Sequence, residues 1–332
     1  MIMNNFDLLK NIILQHKSFF LTTHVNPDAD AIGSQLALYE ILKKLGKNVK
    51  AVNHSATPYN LEFLDKDNVV EKYDEKKHSN LFNEIDIAVA MDLNQANRIV
   101  KMENAFRNFN GMKLCIDHHQ DPEDFVNHFF GGTDYSATGE IIFDFIDQTK
   151  IVELDKRIAE LLYAAIMTDT GSFRFERTSP KVHRIAAELL EYGVNPTKMY
   201  DKIYDQFLFG RVKLLGEALR SIQIDSTKQI AYMEITIDDL EKNGATEADI
   251  DGFVNYCLSI QNIKIGILFH ELKDGIKISF RSKGEIPVNK LAYEFKGGGH
   301  MNASGTRLFN TTINDIKEKV ISSAQKYLDH RG

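Results

Sequence analysis

Four short runs within the first 170 residues carry side chains of the types that can hold metal ions. They are His24-Val25-Asn26-Pro27-Asp28-Ala29-Asp30, Met91-Asp92, Asp117-His118-His119 and Thr168-Asp169-Thr170. Carboxylate oxygens and imidazole nitrogens together suit divalent first-row ions. Four carboxylates crowded without a cation would repel and rise in pKa; two divalent ions would cancel their charge. A pair of ions about 3.5–4 Å apart can activate a water and stabilise a leaving oxygen. The chemistry indicated is hydrolysis of a phosphate ester. On the residues alone, Asp28 and Asp30 can divide between two ions, with His24 beside them. Asp92 can bridge the pair, and His118 and Asp169 can complete the second site. The donor mixture favours manganese; magnesium is less at home with imidazole, and zinc or iron also suits such a set. Taken singly, these residues have plainer readings: Asp28 or Asp30 as a helix N-cap, Asp92 as a turn former. Their joint occurrence at the ends of apolar elements is what argues for a site.

Those elements alternate in type. Residues 5–16 have the pattern of a short helix, and residues 18–23 form an apolar run leading straight into His24. Residues 31–45 place apolar side chains at helical spacing and stop at Gly46, a suitable C-terminal residue. A strand begins again at Val49. Residues 85–91 and 113–116 are nearly unbroken apolar runs before Asp92 and Asp117, as expected of strands buried on both faces. Helices are predicted at about 137–148, 154–167 and 180–192, the second delivering Asp169. Strand, helix, strand in this order predicts a parallel α/β sheet. In such sheets ligands sit beyond the carboxyl ends of the strands, where strand order reverses.

After Gly193 the character changes. Residues 195–222 are predicted to be a charged helical linker between a first domain, 1–194, and a second, 223–332. In the second, strands at 230–237, 263–272 and 276–281 mix with helices at about 246–260, 287–295 and 312–328, a smaller α+β domain. It contains Gly297-Gly298-Gly299-His300-Met301-Asn302-Ala303-Ser304-Gly305 and, upstream, Arg281-Ser282-Lys283. Glycines let backbone N–H groups approach an anion without side-chain obstruction, and His300 can donate to a phosphate or carboxylate. Arg281 is in range of such a loop. Arg98, six positions past Asp92, is a candidate phosphate clamp. Arg174 is read as a partner of Glu176, and Phe253 and Tyr256 as core rather than base-stacking surfaces.

The four N-terminal runs, in this order, resemble the motifs of the DHH phosphoesterase superfamily, whose defining triplet stands here as Asp117-His118-His119. The resemblance spans about residues 15–195. It implies His24, Asp28 and Asp92 as ligands of one metal, and Asp30, Asp92, His118 and Asp169 as ligands of the other. It makes His119 the partner of the substrate phosphate and gives Asp117 the task of orienting a histidine. Residues 297–305 resemble the signature of the DHH-associated C-terminal domain, the substrate-selecting half, which implicates Gly298, Gly299, His300 and Ser304 with Arg281 and Ser282. The two-domain arrangement is similar to the stand-alone nano-RNase and pAp-phosphatase family, which also includes enzymes acting on cyclic-di-AMP and its linear product. The resemblance implies an active site in an interdomain cleft, short oligonucleotides or 3′-phosphoadenosine 5′-phosphate as substrates, and a possible homodimer. The alternatives are a phosphodiesterase for cyclic-di-AMP or pApA, and a non-catalytic nucleotide sensor, against which stands the full set of ligands. RecJ-type exonucleases are longer, and family II pyrophosphatases carry a different C-terminal motif.

Composition bounds these readings. The chain has 332 residues and a net charge of −7, which argues against tracking long nucleic acid. Its two cysteines, Cys115 and Cys257, lie in apolar runs and suit a reducing compartment better than a disulfide framework. No leader pattern or membrane-spanning stretch is read, so a cytoplasmic location is expected.

Overall fold

The computed structural model describes residues 5–328. The first four residues of the stretch read for a leader, and the last four of the second domain, lie outside the described residues. The chain folds as two units, residues 1–206 and 207–332.

The first unit opens with helix α1 (Phe6–Gln15), strand β1 (Ser18–Thr23), helix α2 (Ala29–Lys44) and strand β2 (Asn48–Asn53). Strands β3 (Val70–Lys72) and β4 (Ile87–Met91) follow, then α3 (Glu103–Asn108), β5 (Met112–Asp117) and β6 (His128–Gly131). Helices α4 (Thr138–Thr149), α5 (Lys156–Asp169), α6 (Pro180–Glu191) and α7 (Pro196–Tyr204) complete it. The six strands form one parallel sheet in the order β3-β2-β1-β4-β5-β6. Strand order reverses between β1 and β4, the place where doubly wound sheets bind ligands.

The apolar runs alternate faces, as pleating requires. Phe19, Leu21, Ile87, Val89, Leu114 and Ile116 enter the core shared with α1, α2, α4 and α5. Phe20, Ala88, Ala90 and Cys115 enter a second core under Phe106 and Phe125. Helix α2 is buried over most of its circumference and packs on α5 so closely that a Cβ on Gly33 would lie 2.6 Å from the Leu161 carbonyl oxygen. Glycine at that point sets how near the two helices that carry Asp30 and Asp169 can come.

The helices of residues 195–222 are divided between the units. Met199 and Ile203 of α7 join the first core, while α8 (Phe209–Arg220) buries Leu214 and Ala218 in the second unit. That unit continues with β7 (Gln223–Ile224), β8 (Ile230–Ile235), α9 (Ile237–Asn243), α10 (Asn255–Leu258) and β9 (Ile265–Leu272). It ends with β10 (Gly275–Ser282), α11 (Val288–Glu294), β11 (Gly298–His300), β12 (Ala303–Phe309) and α12 (Ile313–Lys326). Its sheet runs β11-β12-β10-β9-β8-β7, antiparallel except where β8 meets β9.

Three expectations need correction here. The helix expected at 246–260 is broken into a 3₁₀ turn, Glu247–Ile250, and the short α10, because Asp251 is non-helical and Gly252 takes φ +82°. Phe253 is core, but Tyr256 is 43% exposed. Gly298 and Gly299 lie in the edge strand β11, with Gly297 just before it, and not in an open loop. A Cβ on Gly297 would lie 2.2 Å from the Gly305 carbonyl oxygen, and one on Gly299, at φ +138°, 2.6 Å from that of Ala303. Close pairing of β11 with β12 therefore accounts for two of the three glycines. Among the described residues no helix is long and apolar enough to cross a membrane.

Candidate metal centre

The strand ends supply most of the site. His24 follows β1, Asp92 follows β4, and Asp117 closes β5 with His118 and His119 just beyond. Helices supply the rest: Asp28 and Asp30 at the start of α2, Asp169 at the end of α5. Asp92 turns the chain at φ +58°, a conformation that aspartate tolerates better than most residues.

Asp92 is the hub. Its Oδ2 lies 3.4 Å from His24 Nε2 and its Oδ1 3.5 Å from His118 Nε2. His118 Nε2 is also 3.4 Å from Asp169 Oδ2 and 3.8 Å from Asp30 Oδ2. The donor atoms of His24, Asp28 and Asp92 lie within 4.8 Å of one another, as do those of Asp30, His118 and Asp169. Donor–donor separations near 3.4 Å are long for hydrogen bonds. They match the edges of a coordination shell, about 3.0–3.4 Å when bonds to the ion are about 2.1 Å. Both rings are turned with Nε2 toward the cluster. His24 Nδ1 lies 2.9 Å from the Val25 carbonyl oxygen, a bond that leaves Nε2 as the ligand atom. The set of oxygens and nitrogens therefore fits divalent cations, and these clusters could hold metal.

Two residues outside the sequence motifs hold the carboxylates in place. The N–H groups of Thr138 and Gly139, at the start of α4, donate to the two oxygens of Asp30 at 2.7 and 2.9 Å. The Thr138 hydroxyl donates to Asp92 Oδ1 at 2.9 Å. Glu140 in turn accepts from the Ser136 N–H and hydroxyl, both at 2.8 Å, and pairs with Lys181. Asp28 caps α2 by accepting from the Ala31 N–H with one oxygen, leaving the other for the cluster. Thr138→Val is expected to weaken metal binding about 10–100-fold, the usual cost of losing a group that orients a ligand, while Thr138→Ser restores it. Isothermal titration with manganese reads both.

The carboxylates and imidazoles of the cluster shift one another's pKa values in both directions. Burial, then Asp92, Asp169 and Asp28, pushes Asp30 well above the carboxylate range. The Asp169 side chain keeps 31% exposure, yet burial of its carboxyl end, with Asp92 and Asp28, raises its pKa to about 8. Burial also opposes the charge on Asp92, but His24, His118 and His119 outweigh it and hold Asp92 below its usual value. Burial lowers His118. His24 and His119 are raised in spite of burial, by Asp92 and by Asp117 respectively.

The metal-free protein is expected to lose stability as pH rises from about 4 to about 8. In that window folded Asp169 keeps a proton that the unfolded chain has released, so rising pH favours unfolding. Asp30 acts in the same direction. Raised His24 and His119 add to the loss above about 6.5, where the unfolded imidazole deprotonates first; lowered His118 opposes it below that value. Urea midpoints of chelator-treated protein at pH about 5.5 and 8 measure this, and a higher midpoint at the alkaline end would contradict it.

His119 is held differently from the other imidazoles. Its Nδ1 lies 2.6 Å from Asp117 Oδ1, and its backbone N–H donates to Asp117 Oδ2 at 3.1 Å. Asp117, fully buried, thus fixes that ring. The Arg98 side chain is half-buried, close enough to act on His24 and His119, and has no ion pair among the described residues. Arg177 stands outside the sequence motifs, yet it lies in electrostatic range of His118 and Asp169; its position eight past Asp169 is the available signal. Arg174 is not paired with Glu176: its Nε donates to the Gly171 carbonyl oxygen, and its guanidinium lies 5.8 Å from the Phe175 ring centroid.

In the second unit, Arg281 and Ala303 are opposite on β10 and β12, and Gly299 pairs with Ser304, so Arg281 and the glycine strand share one end of the sheet. Gly299 and His300 are exposed and Gly298 half-buried. Burial lowers the pKa of Arg281. The hydroxyls of Ser282 and Ser304 donate to the carbonyls of Ile286 and Val288 at 2.6 Å each, which occupies their protons in holding the fold.

A doubly wound parallel sheet with these acidic and histidine clusters at its carboxyl edge defines a phosphoesterase of the DHH class. The model of the DHH family N-terminal domain matches residues 18–166, and that of the DHHA1 domain matches residues 227–328. Within that class the chain belongs to the family of bifunctional oligoribonucleases and PAP phosphatases. It is 32% identical to the bifunctional oligoribonuclease and PAP phosphatase NrnA of Thermus thermophilus, across 94% of this chain and 91% of that protein. It is 32% identical to the protein of the same description in Bacillus subtilis, across 92% and 93%. Among solved structures, an exopolyphosphatase-related protein from Bacteroides fragilis superposes with a TM-score of 0.92 at 32% identity, covering 97% of this chain and 96% of that one.

Proposed function

We propose that this chain hydrolyses short oligonucleotides and the 3′-phosphate of PAP by a two-metal mechanism. The observation that carries the reading is two neighbouring donor sets, His24-Asp28-Asp92 and Asp30-His118-Asp169, linked by the 3.5 Å approach of Asp92 to His118. His24, Asp28 and Asp92 would hold one cation; Asp30, His118 and Asp169, with Asp92 shared, would hold the other. The nitrogen-containing donor set favours manganese. Bound there, the ions would supply a water activated for in-line attack and positive charge for the departing oxygen.

The chain's own residues do the remaining work. Thr138 and Gly139 fix the oxygens of Asp30, and the Thr138 hydroxyl selects the rotamer of Asp92. His119, anchored through Nδ1 on Asp117, turns Nε2 toward the substrate and donates to a phosphate oxygen. Its raised pKa favours the protonated donor. Arg98 adds a second cation for charge that grows on the equatorial oxygens. Arg281, His300 and the glycine strand bind the rest of the nucleotide.

Purified protein with manganese, tested against PAP, pApA, a five-nucleotide RNA and cyclic-di-AMP, decides the matter. Turnover of the linear substrates and not of the ring is expected, because a grip on a free end rejects a ring. Turnover of cyclic-di-AMP alone would replace this reading with the cyclic-dinucleotide one. His300→Ala is expected to raise KM for PAP with metal content unchanged; loss of metal in that variant would put His300 in a different site.

A further inference from the structure

Two lysines and a histidine gather at the carboxyl edge of the sheet, the lysines without carboxylate partners among the described residues. The parallel register sets the ends of β1, β2 and β3 side by side, with Leu21 opposite Ala51 and Asn53 opposite Lys72. His54 therefore follows β2 as His24 follows β1. The two loops are laced together: the Asn26 N–H donates to Ser55 Oγ at 3.1 Å, and the Ser55 hydroxyl donates to Asn26 Oδ1 at 3.2 Å. On the other flank the Val25 N–H donates to the Arg98 carbonyl oxygen at 2.8 Å. That bond fixes the 3₁₀ segment Ala96–Met102, which carries Lys101. Lys72 and Lys101 are both exposed, and both lie close enough to His54 to act on it electrostatically.

Some lysines of this unit, Lys44, Lys50, Lys66, Lys77, Lys150 and Lys181, pair with a carboxylate, and others, Lys43, Lys76 and Lys156 among them, do not. Lys72 and Lys101 have no such partner among the described residues, although the whole chain carries a net charge of −7. His54 Nδ1 is buried without a hydrogen-bond partner. Val100, beside Lys101, sits at φ 53° and ψ −108°, a costly conformation for a β-branched residue. Strain of that kind persists where the surroundings enforce it, often at binding sites. Like charges left together repel, and what completes them is an anion. They are spread over three elements at the carboxyl edge of the sheet, the edge that also carries His24 and Asp92, which suits a flexible chain of phosphates better than one compact carboxylate.

We propose that Lys72 and Lys101, flanking His54, form a phosphate rail that grips the oligonucleotide backbone beyond the phosphodiester being cleaved. The rail sets a preference for substrates several nucleotides long. This inference rests on the function proposed above, since the pocket beside the rail must hold the scissile phosphate.

The test is the full-length double variant Lys72→Gln, Lys101→Gln with manganese. Its kcat/KM on a pentaribonucleotide and on PAP is compared with wild type at about 50–200 mM salt. The pentanucleotide-to-PAP ratio is expected to fall about tenfold. Log kcat/KM for the pentanucleotide should also depend less steeply on log salt, by about 1.4, or about 0.7 for each lost phosphate contact. A ratio and a salt slope equal to wild type would overturn the rail. An equal fall on both substrates would do so as well, because the lysines would then act at the scissile phosphate. Wild-type protein inactive on both would overturn the function on which the rail rests.

Discussion

Asp92→Asn is expected to abolish hydrolysis, a fall of at least about 10³-fold in kcat, because a single preorganised electrostatic group is already worth about 10²–10³ and this one, in the proposed mechanism, would serve both ions. One carboxylate oxygen lies 3.4 Å from His24 and the other 3.5 Å from His118. Asparagine turns one of those oxygens into an amide N–H₂ that repels a cation. It is a better test than alanine for a backbone reason: the residue sits at φ +58°, where asparagine is tolerated. Loss of activity is then separable from loss of fold by circular dichroism. A folded Asp92→Asn protein that keeps most of its activity would remove the bridging role.

The second large effect falls on a different step. His119→Ala is expected to lower kcat on PAP about 10²–10³-fold while manganese stoichiometry, measured by equilibrium dialysis, stays as in wild type. The reason is the Asp117 bond. His119 Nδ1 is 2.6 Å from Asp117 but 3.8 Å from Asp92, so its near nitrogen is engaged by Asp117 and its far nitrogen is the one that would serve the substrate as proposed. An Asp92–His118–His119 grouping is also compact enough to hold an ion. If the variant loses one equivalent of metal, that grouping is the real site and His119 is a ligand.

How much of this is legible in the sequence follows from what each residue depends on. Strands that bury both faces, such as Ile87–Met91, announce themselves as apolar runs, and the parallel α/β class follows from their alternation with helices. Short edge strands do not: β3 and β7 have three and two residues, too few for any period to show. The helix expected at 246–260 fails because the apolar spacing of Ile250, Phe253 and Cys257 survives a break that Gly252 makes in the backbone. Thr138 is hidden for another reason. Nothing local marks a threonine whose hydroxyl reaches Asp92 from the start of a helix 46 positions later; only the folded sheet brings them together. The glycine triplet is conspicuous but ambiguous, since the demand for tight strand pairing and the demand for an open backbone select the same residue.

The sheet order has a consequence for how the protein is made. His24 and Asp92 lie on opposite sides of the reversal between β1 and β4, and Asp169 arrives after a further helix pair. At a synthesis rate of about 5–20 residues per second, roughly 145 residues and so about 7–30 s separate the ribosomal emergence of His24 from that of Asp169. A nascent chain can present the early ligands only as a partial and weaker trap for metal. With the ligands proposed above, tight capture would wait until α5 has left the exit tunnel, so ion selection would fall to a nearly complete first unit and not to the peptide that begins it.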